Sequence, residues 1–98
     1  MIRGTTPKLT VSAGGVDFTT FSEIHIYIKQ YGTVIDKICS VSSQSKSSVE
    51  CTMSQNETIG LDEGVCYVQV RAKNESGQVI ASIPQRIDVD QLLKDVIL

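Results

Sequence analysis

The segment Glu23-Ile24-His25-Ile26-Tyr27-Ile28-Lys29-Gln30-Tyr31 alternates apolar and polar residues with a period of two. An extended chain points successive side chains to opposite faces, so Ile24, Ile26 and Ile28 share one face and Glu23, His25, Tyr27 and Lys29 the other. This is the pattern of a half-buried strand. Gly64 to Lys73 repeats it, with Cys66, Val68, Val70 and Ala72 directed inward and Tyr67, Gln69, Arg71 and Lys73 outward.

Each strand runs into a turn signal and a second β-prone segment. Tyr31-Gly32-Thr33 leads into Val34 to Ser40, and Asn74-Glu75-Ser76-Gly77 into Gln78 to Ile83. In both turns glycine is expected to supply the positive φ of a tight connection, which gives two hairpins, Glu23 to Ser40 and Val65 to Ile83. Weaker strands are expected at Lys8 to Ala13 and at Ser48 to Met53, where Val49, Cys51 and Met53 alternate with polar residues.

The serine-rich stretch between Val41 and Ser48 has too little apolar surface to offset its ordering entropy and is expected to be a mobile exposed loop. Ser54-Gln55-Asn56-Glu57 fits a capping box, which predicts one helical turn within Ser54 to Leu61. Pro84 lacks an amide hydrogen, so the last β run should bend there and resume through Arg86 to Val89. Asp90 is placed to cap a short helix carrying Leu92, Leu93, Val96 and Ile97 on one face. Nine residues are fewer than the about 12 to 15 at which an isolated helix is marginal, so this apolar tail must dock on something.

These signals predict an all-β fold: an immunoglobulin-like antiparallel β-sandwich of about seven strands with a short C-terminal helix or tail. Residues 1–98 are expected to form one domain, with an N-terminal arm at 1–7 and the tail at 90–98. The central Trp of immunoglobulin domains is missing, a Cys-Cys bridge is not evident, and a small antiparallel barrel is the main rival.

Nine basic and eleven acidic residues give a net charge of −2, with no like-charged run longer than two. That argues against nucleic acid as a partner, since phosphate binding normally needs a basic patch. No stretch approaches the roughly 20 apolar residues that cross a bilayer, and Met1 to Thr10 has no apolar block of signal-peptide type. No membrane partner is expected, and the chain should be soluble and initially intracellular.

Cys39, Cys51 and Cys66 are spaced by 12 and 15 residues, unlike the close pairs of a zinc knuckle. Reduced thiols inside apolar runs are the favoured reading; one disulfide, or a metal or reactive role, is a lesser alternative. Only residue type suggests His25 joining the thiols at zinc, and no cofactor or metal is expected. As a general base His25 would need a nucleophile and an orienting carboxylate; mid-strand beside Glu23 and Tyr27, it reads better as a solvated strand histidine. Gly14-Gly15 lies in no phosphate-binding motif, and Asp88, Asp90 and Asp95 lack the spacing of a calcium loop. The sequons at Asn56 and Asn74 read as a capped turn and a hairpin turn. No catalytic residue is assigned, and an enzyme using Cys66 as nucleophile is the weakest of the functional readings.

Outward aromatics and the chain ends are the candidate binding elements. Tyr27, Tyr31 and Tyr67 could form an interface patch or simply cover neighbouring side chains. Ile2 and Arg3 in the arm, and Leu92, Leu93, Val96 and Ile97 in the tail, could reach a neighbouring subunit or pack on the parent sandwich.

The opening Met1-Ile2-Arg3-Gly4-Thr5-Thr6-Pro7, the EIHIYIKQYGTVIDK hairpin, the Ser54-Gln55-Asn56-Glu57-Thr58 turn and YVQVRAKNESGQVIAS before an apolar tail resemble small proteins encoded in prophages of Gram-positive bacteria. The likeness runs in order over nearly the whole chain. In those relatives Asn-Gly or a similar pair often fills the first hairpin turn, where this chain has Tyr31-Gly32. The resemblance implies a non-enzymatic phage structural or assembly protein of tail, baseplate or neck. Its partners would be other phage structural proteins or further copies of itself, and it would pass from the bacterial cytoplasm into the virion. It brings no active-site residues. A carbohydrate- or receptor-binding module at the host surface is the alternative, motivated by the outward tyrosines.

Overall fold

A computed structural model describes all residues, Met1 to Leu98. Eight strands form two antiparallel sheets: β1 (Lys8–Ser12), β2 (Glu23–Gln30), β3 (Thr33–Ile38), β4 (Ser40–Val41), β5 (Ser48–Thr52), β6 (Gly64–Lys73), β7 (Val79–Ala81) and β8 (Gln85–Val89). One sheet has the order β1-β5-β4. The other has the order β3-β2-β6-β7, with β8 also paired to β6. No helix is long and apolar enough to cross a membrane.

The two alternating segments are the central strands of the larger sheet. In their register Ile24 lies opposite Ala72, Ile26 opposite Val70 and Ile28 opposite Val68. All six are buried, as a strict period of two requires when one face of a sheet is covered. The smaller sheet supplies the facing layer through Val11 and Val49, while Phe18, Met53, Leu61, Cys66 and Val89 complete the buried cluster. Sheet packing of this kind makes a sandwich.

The hairpins form where expected, and the first turn differs in detail. Tyr31, at φ 53°, takes the left-handed conformation that the two-residue loop needs at its first position, and Gly32 does not. The second turn does use its glycine, Gly77 at φ 85°, and Asn74 closes it by accepting the Gln78 amide hydrogen at 2.9 Å.

The serine-rich stretch is exposed from Ser43 to Lys46, but its ends are tied. The Ser47 carbonyl accepts from the Ala13 amide at 2.9 Å and the Lys46 carbonyl from the Phe18 amide at 2.8 Å. It therefore acts as the turn of a β4–β5 hairpin. The capping box is formed in α1 (Gln55–Ile59), capped by Ser54. At Pro84 the last run breaks as expected: β7 pairs with the C-terminal half of β6, β8 with its N-terminal half, and residues 82–84 bridge the gap.

The C-terminal helix does not form. Residues 91–98 have no regular structure, and their contacts are made one by one along the segment. Leu92 packs on Gly4, where a Cβ would lie 2.8 Å from Leu92 Cδ2; Gly4 also holds φ 71°. Asp95 pairs with Arg3 at 2.8 Å, and the Leu98 amide donates to Gln55 Oε1 at 2.9 Å. Three anchors spread along eight residues offset more than a helix too short to hold itself would gain.

Candidate functional site

A sheet with one face in the core presents the opposite set of side chains to its surroundings, and in the larger sheet these fall into rungs. Register places Ile38, His25 and Arg71 side by side across β3, β2 and β6, then Asp36, Tyr27 and Gln69, then Val34, Lys29 and Tyr67. Side chains directly opposed in antiparallel strands lie within contact reach, so each rung is a physical neighbourhood. Ile38 (79%), Val34 (56%) and Tyr67 (51%) are strongly exposed for apolar or aromatic residues on a strand.

A shallow groove of about 310 Å³ runs over this face, lined chiefly by Tyr27, Lys29, Val34, Tyr67, Arg71 and Pro84. A second hollow shares Tyr27 and Arg71 and continues toward His25 and Lys73. A third, beside Lys29 and Tyr67, extends to Tyr31. Gln69, on the same face, is fixed by donating to the Ser82 carbonyl at 2.9 Å.

The charges on the face are unevenly paired. His25 Nδ1 lies 2.6 Å from Asp36 and Nε2 3.0 Å from Glu23. The hydrogen bond to Asp36, then that to Glu23, raises the imidazole pKa above its usual value. The ring also stacks on Tyr27, with centroids 5.8 Å apart. With a carboxylate on each nitrogen, neither nitrogen is free to take a proton from a substrate. The same bonds occupy Asp36 and Glu23, whereas Lys29, Arg71 and Lys73 take part in none of the chain's ion pairs. The face therefore combines tyrosine rings, exposed aliphatic side chains and unpaired cations.

The three outward tyrosines are brought together along this face. The arm and tail residues are not part of it. Arg3 is a clamp, donating to the carbonyls of Ile59 (2.8 Å) at the end of α1 and of Leu61 just beyond it, and pairing with Asp95. Ile2 bridges to Asp90 in parallel, and the N-terminal ammonium donates to the Asp88 carbonyl at 2.8 Å. Leu92 is half-buried against the arm, while Leu93, Val96 and Ile97 are exposed.

Lys29, Val34, Ile38, Arg71 and Pro84 did not stand out in the sequence as binding residues. The signal was present: carrying the phase of β2 across the hairpin register assigns Val34, Asp36 and Ile38 to the outer face. The carboxylate from β3 that orients His25 is found by the same step.

The thiols fall in two environments. Cys66 is fully buried, and burial raises its pKa, a poor setting for a nucleophile. Cys39 and Cys51 are half-buried at the flank of the core. His25 and Cys66 lie on opposite faces of the larger sheet, and no group of three or more His, Cys, Asp or Glu residues is placed to hold a metal. No family model matches the chain, and no curated protein or solved structure matches it significantly.

Proposed function

We propose that this chain is a non-enzymatic docking protein, a structural or assembly component of a phage particle, whose working surface is the outer face of the larger sheet. The observation that carries docking is the groove between Tyr27 and Tyr67, flanked by unpaired Lys29 and Arg71 and bordered by exposed Val34. Tyrosine and arginine are the side chains that most often anchor protein interfaces. Their combination here suits a partner surface with an apolar anchor ringed by carboxylates. Affiliation with a phage particle rests on the likeness in sequence pattern. The sheet order β3-β2-β6-β7 facing β1-β5-β4 supports describing the sandwich as immunoglobulin-like, a scaffold that commonly offers sheet faces to other proteins.

Co-purification with assembled particles is the expected result. Recovery only in the soluble host fraction, with no particle protein attached, overturns the reading. Tyrosines lining a groove also suit sugar rings, so a glycan array separates the alternative: docking inside a particle predicts no glycan affinity, and saturable binding to one glycan class favours a receptor-binding module.

A further inference from the structure

We propose that Cys39 and Cys51 form a reversible disulfide that joins the two sheets where the edge strand passes from one to the other. In the β4–β5 ladder Ser40 lies opposite Glu50 and Val41 opposite Val49, so one further step sets Cys39 opposite Cys51. Opposed residues of antiparallel strands have Cα atoms about 4.5 to 5.5 Å apart, inside the roughly 4.4 to 6.8 Å that disulfides span. The Cys39 amide also donates to the Ile24 carbonyl at 3.0 Å, which continues the β2–β3 ladder. Cys39 thus belongs to the larger sheet by its backbone while its side chain faces the middle strand of the smaller one.

Both thiols are half-buried and packed against the core, and each is the largest influence on the other's pKa. The Cys39 thiol donates to the Lys37 carbonyl at 3.3 Å. Cys66 cannot compete. Continuing the β2–β6 register sets it level with Gln30, six residues along β2 from Ile24 and roughly 20 Å from Cys39 at strand rise.

The environment assigns the roles. The neighbouring Cys39 thiol lowers the pKa of Cys51 against the opposing effect of burial, and the Lys37 ammonium adds to the lowering. The Cys51 thiol, together with burial, pushes the pKa of Cys39 up. Cys51 is therefore the attacking thiol, and it reacts as the thiolate after its proton passes to solvent. With a small-molecule disulfide such as oxidised glutathione as oxidant, Cys51 sulfur bonds to one glutathione sulfur. The glutathione S–S bond breaks, and the thiolate released takes a proton from solvent. Cys39 then gives up its proton, and its sulfur attacks Cys51 in the mixed disulfide, expelling the second glutathione thiolate, which takes that proton. Two protein thiols lose two electrons and two protons, and one disulfide becomes two thiols.

The test is to equilibrate the full chain in glutathione buffers of graded redox poise, quench with acid, alkylate, and map the cysteines by peptide mass spectrometry. The expected result is an intramolecular Cys39–Cys51 bond that reverses in reducing buffer, with Cys66 unmodified. Closing the loop between Cys39 and Cys51 constrains the unfolded chain, so the oxidised form should melt on the order of 10 °C higher than the reduced one. Cys51→Ser should fold, form no intramolecular bond and show no rise. A chain that stays reduced in the most oxidising buffer, adducts or interchain bonds without the 39–51 bond, a bond to Cys66, or a 39–51 bond without a higher Tm would overturn the proposal.

Discussion

Gln30 is the one long polar side chain held in the interior, and two bonds keep it there. Its amide nitrogen donates to the Asp62 carbonyl and its carbonyl oxygen accepts the Asp62 amide hydrogen, each at 2.6 Å. The pair fastens the end of β2 to the chain between α1 and β6. Gln30→Leu preserves bulk but leaves both Asp62 groups unpaired, and should cost about 1 to 3 kcal/mol, read as a lower urea midpoint at unchanged slope. His25 carries the opposite kind of polar site, with its side chain 21% exposed and its two carboxylates more than half exposed. Because its folded pKa lies above the reference of 6.5, its stabilisation is fully present below pH 6.5 and is lost as pH rises through the folded value. Solvent screening limits the effect to about 0.5 to 1 kcal/mol. His25→Asn should flatten stability against pH across that window; an unchanged pH dependence in the variant would contradict the assignment.

At the scale of elements, the capping box does more than begin a short helix. Glu57 Oε1 accepts from the Ser54 amide and from Lys37 Nζ, both at 2.9 Å, so one carboxylate ties α1 to β3. Burial works against its charge, but the Ser54 amide and the Lys37 ammonium outweigh it and hold the pKa low. Glu57→Ala should therefore cost about 1 to 2 kcal/mol at neutral pH in chemical denaturation. The wild-type advantage should fall away as acid protonates the carboxyl. This box was legible in the sequence because it lies within four consecutive residues, and β2 and β6 were legible because their phase is local. The tail helix was misjudged because its fate depends on Gly4, Arg3 and Gln55, which are remote in sequence. Tyr31 was missed for a similar reason: glycine is the usual source of positive φ, and only the closed Gln30–Thr33 pair shows which position needs it.

At the scale of the whole molecule, the two sheets are used differently. The smaller one has three strands and contributes the facing layer of the core, while the larger one spreads tyrosines and unpaired cations over its outer side. The candidate face was half legible, since the outward positions of β2 and β6 follow from alternation. Its contributions from β3 and Pro84 needed the register and the bend. The chain extends 46 Å along its longest axis and 20 Å along its shortest. The most direct measurement is equilibrium binding to purified phage particles by the wild type, by Tyr67→Ala/Arg71→Glu on the outer face, and by Lys8→Ala/Thr10→Ala on β1. The account predicts saturable binding that weakens roughly 10- to 100-fold in the outer-face variant and stays within about twofold in the β1 variant. Absence of saturable binding, or a loss confined to the β1 variant, would contradict it.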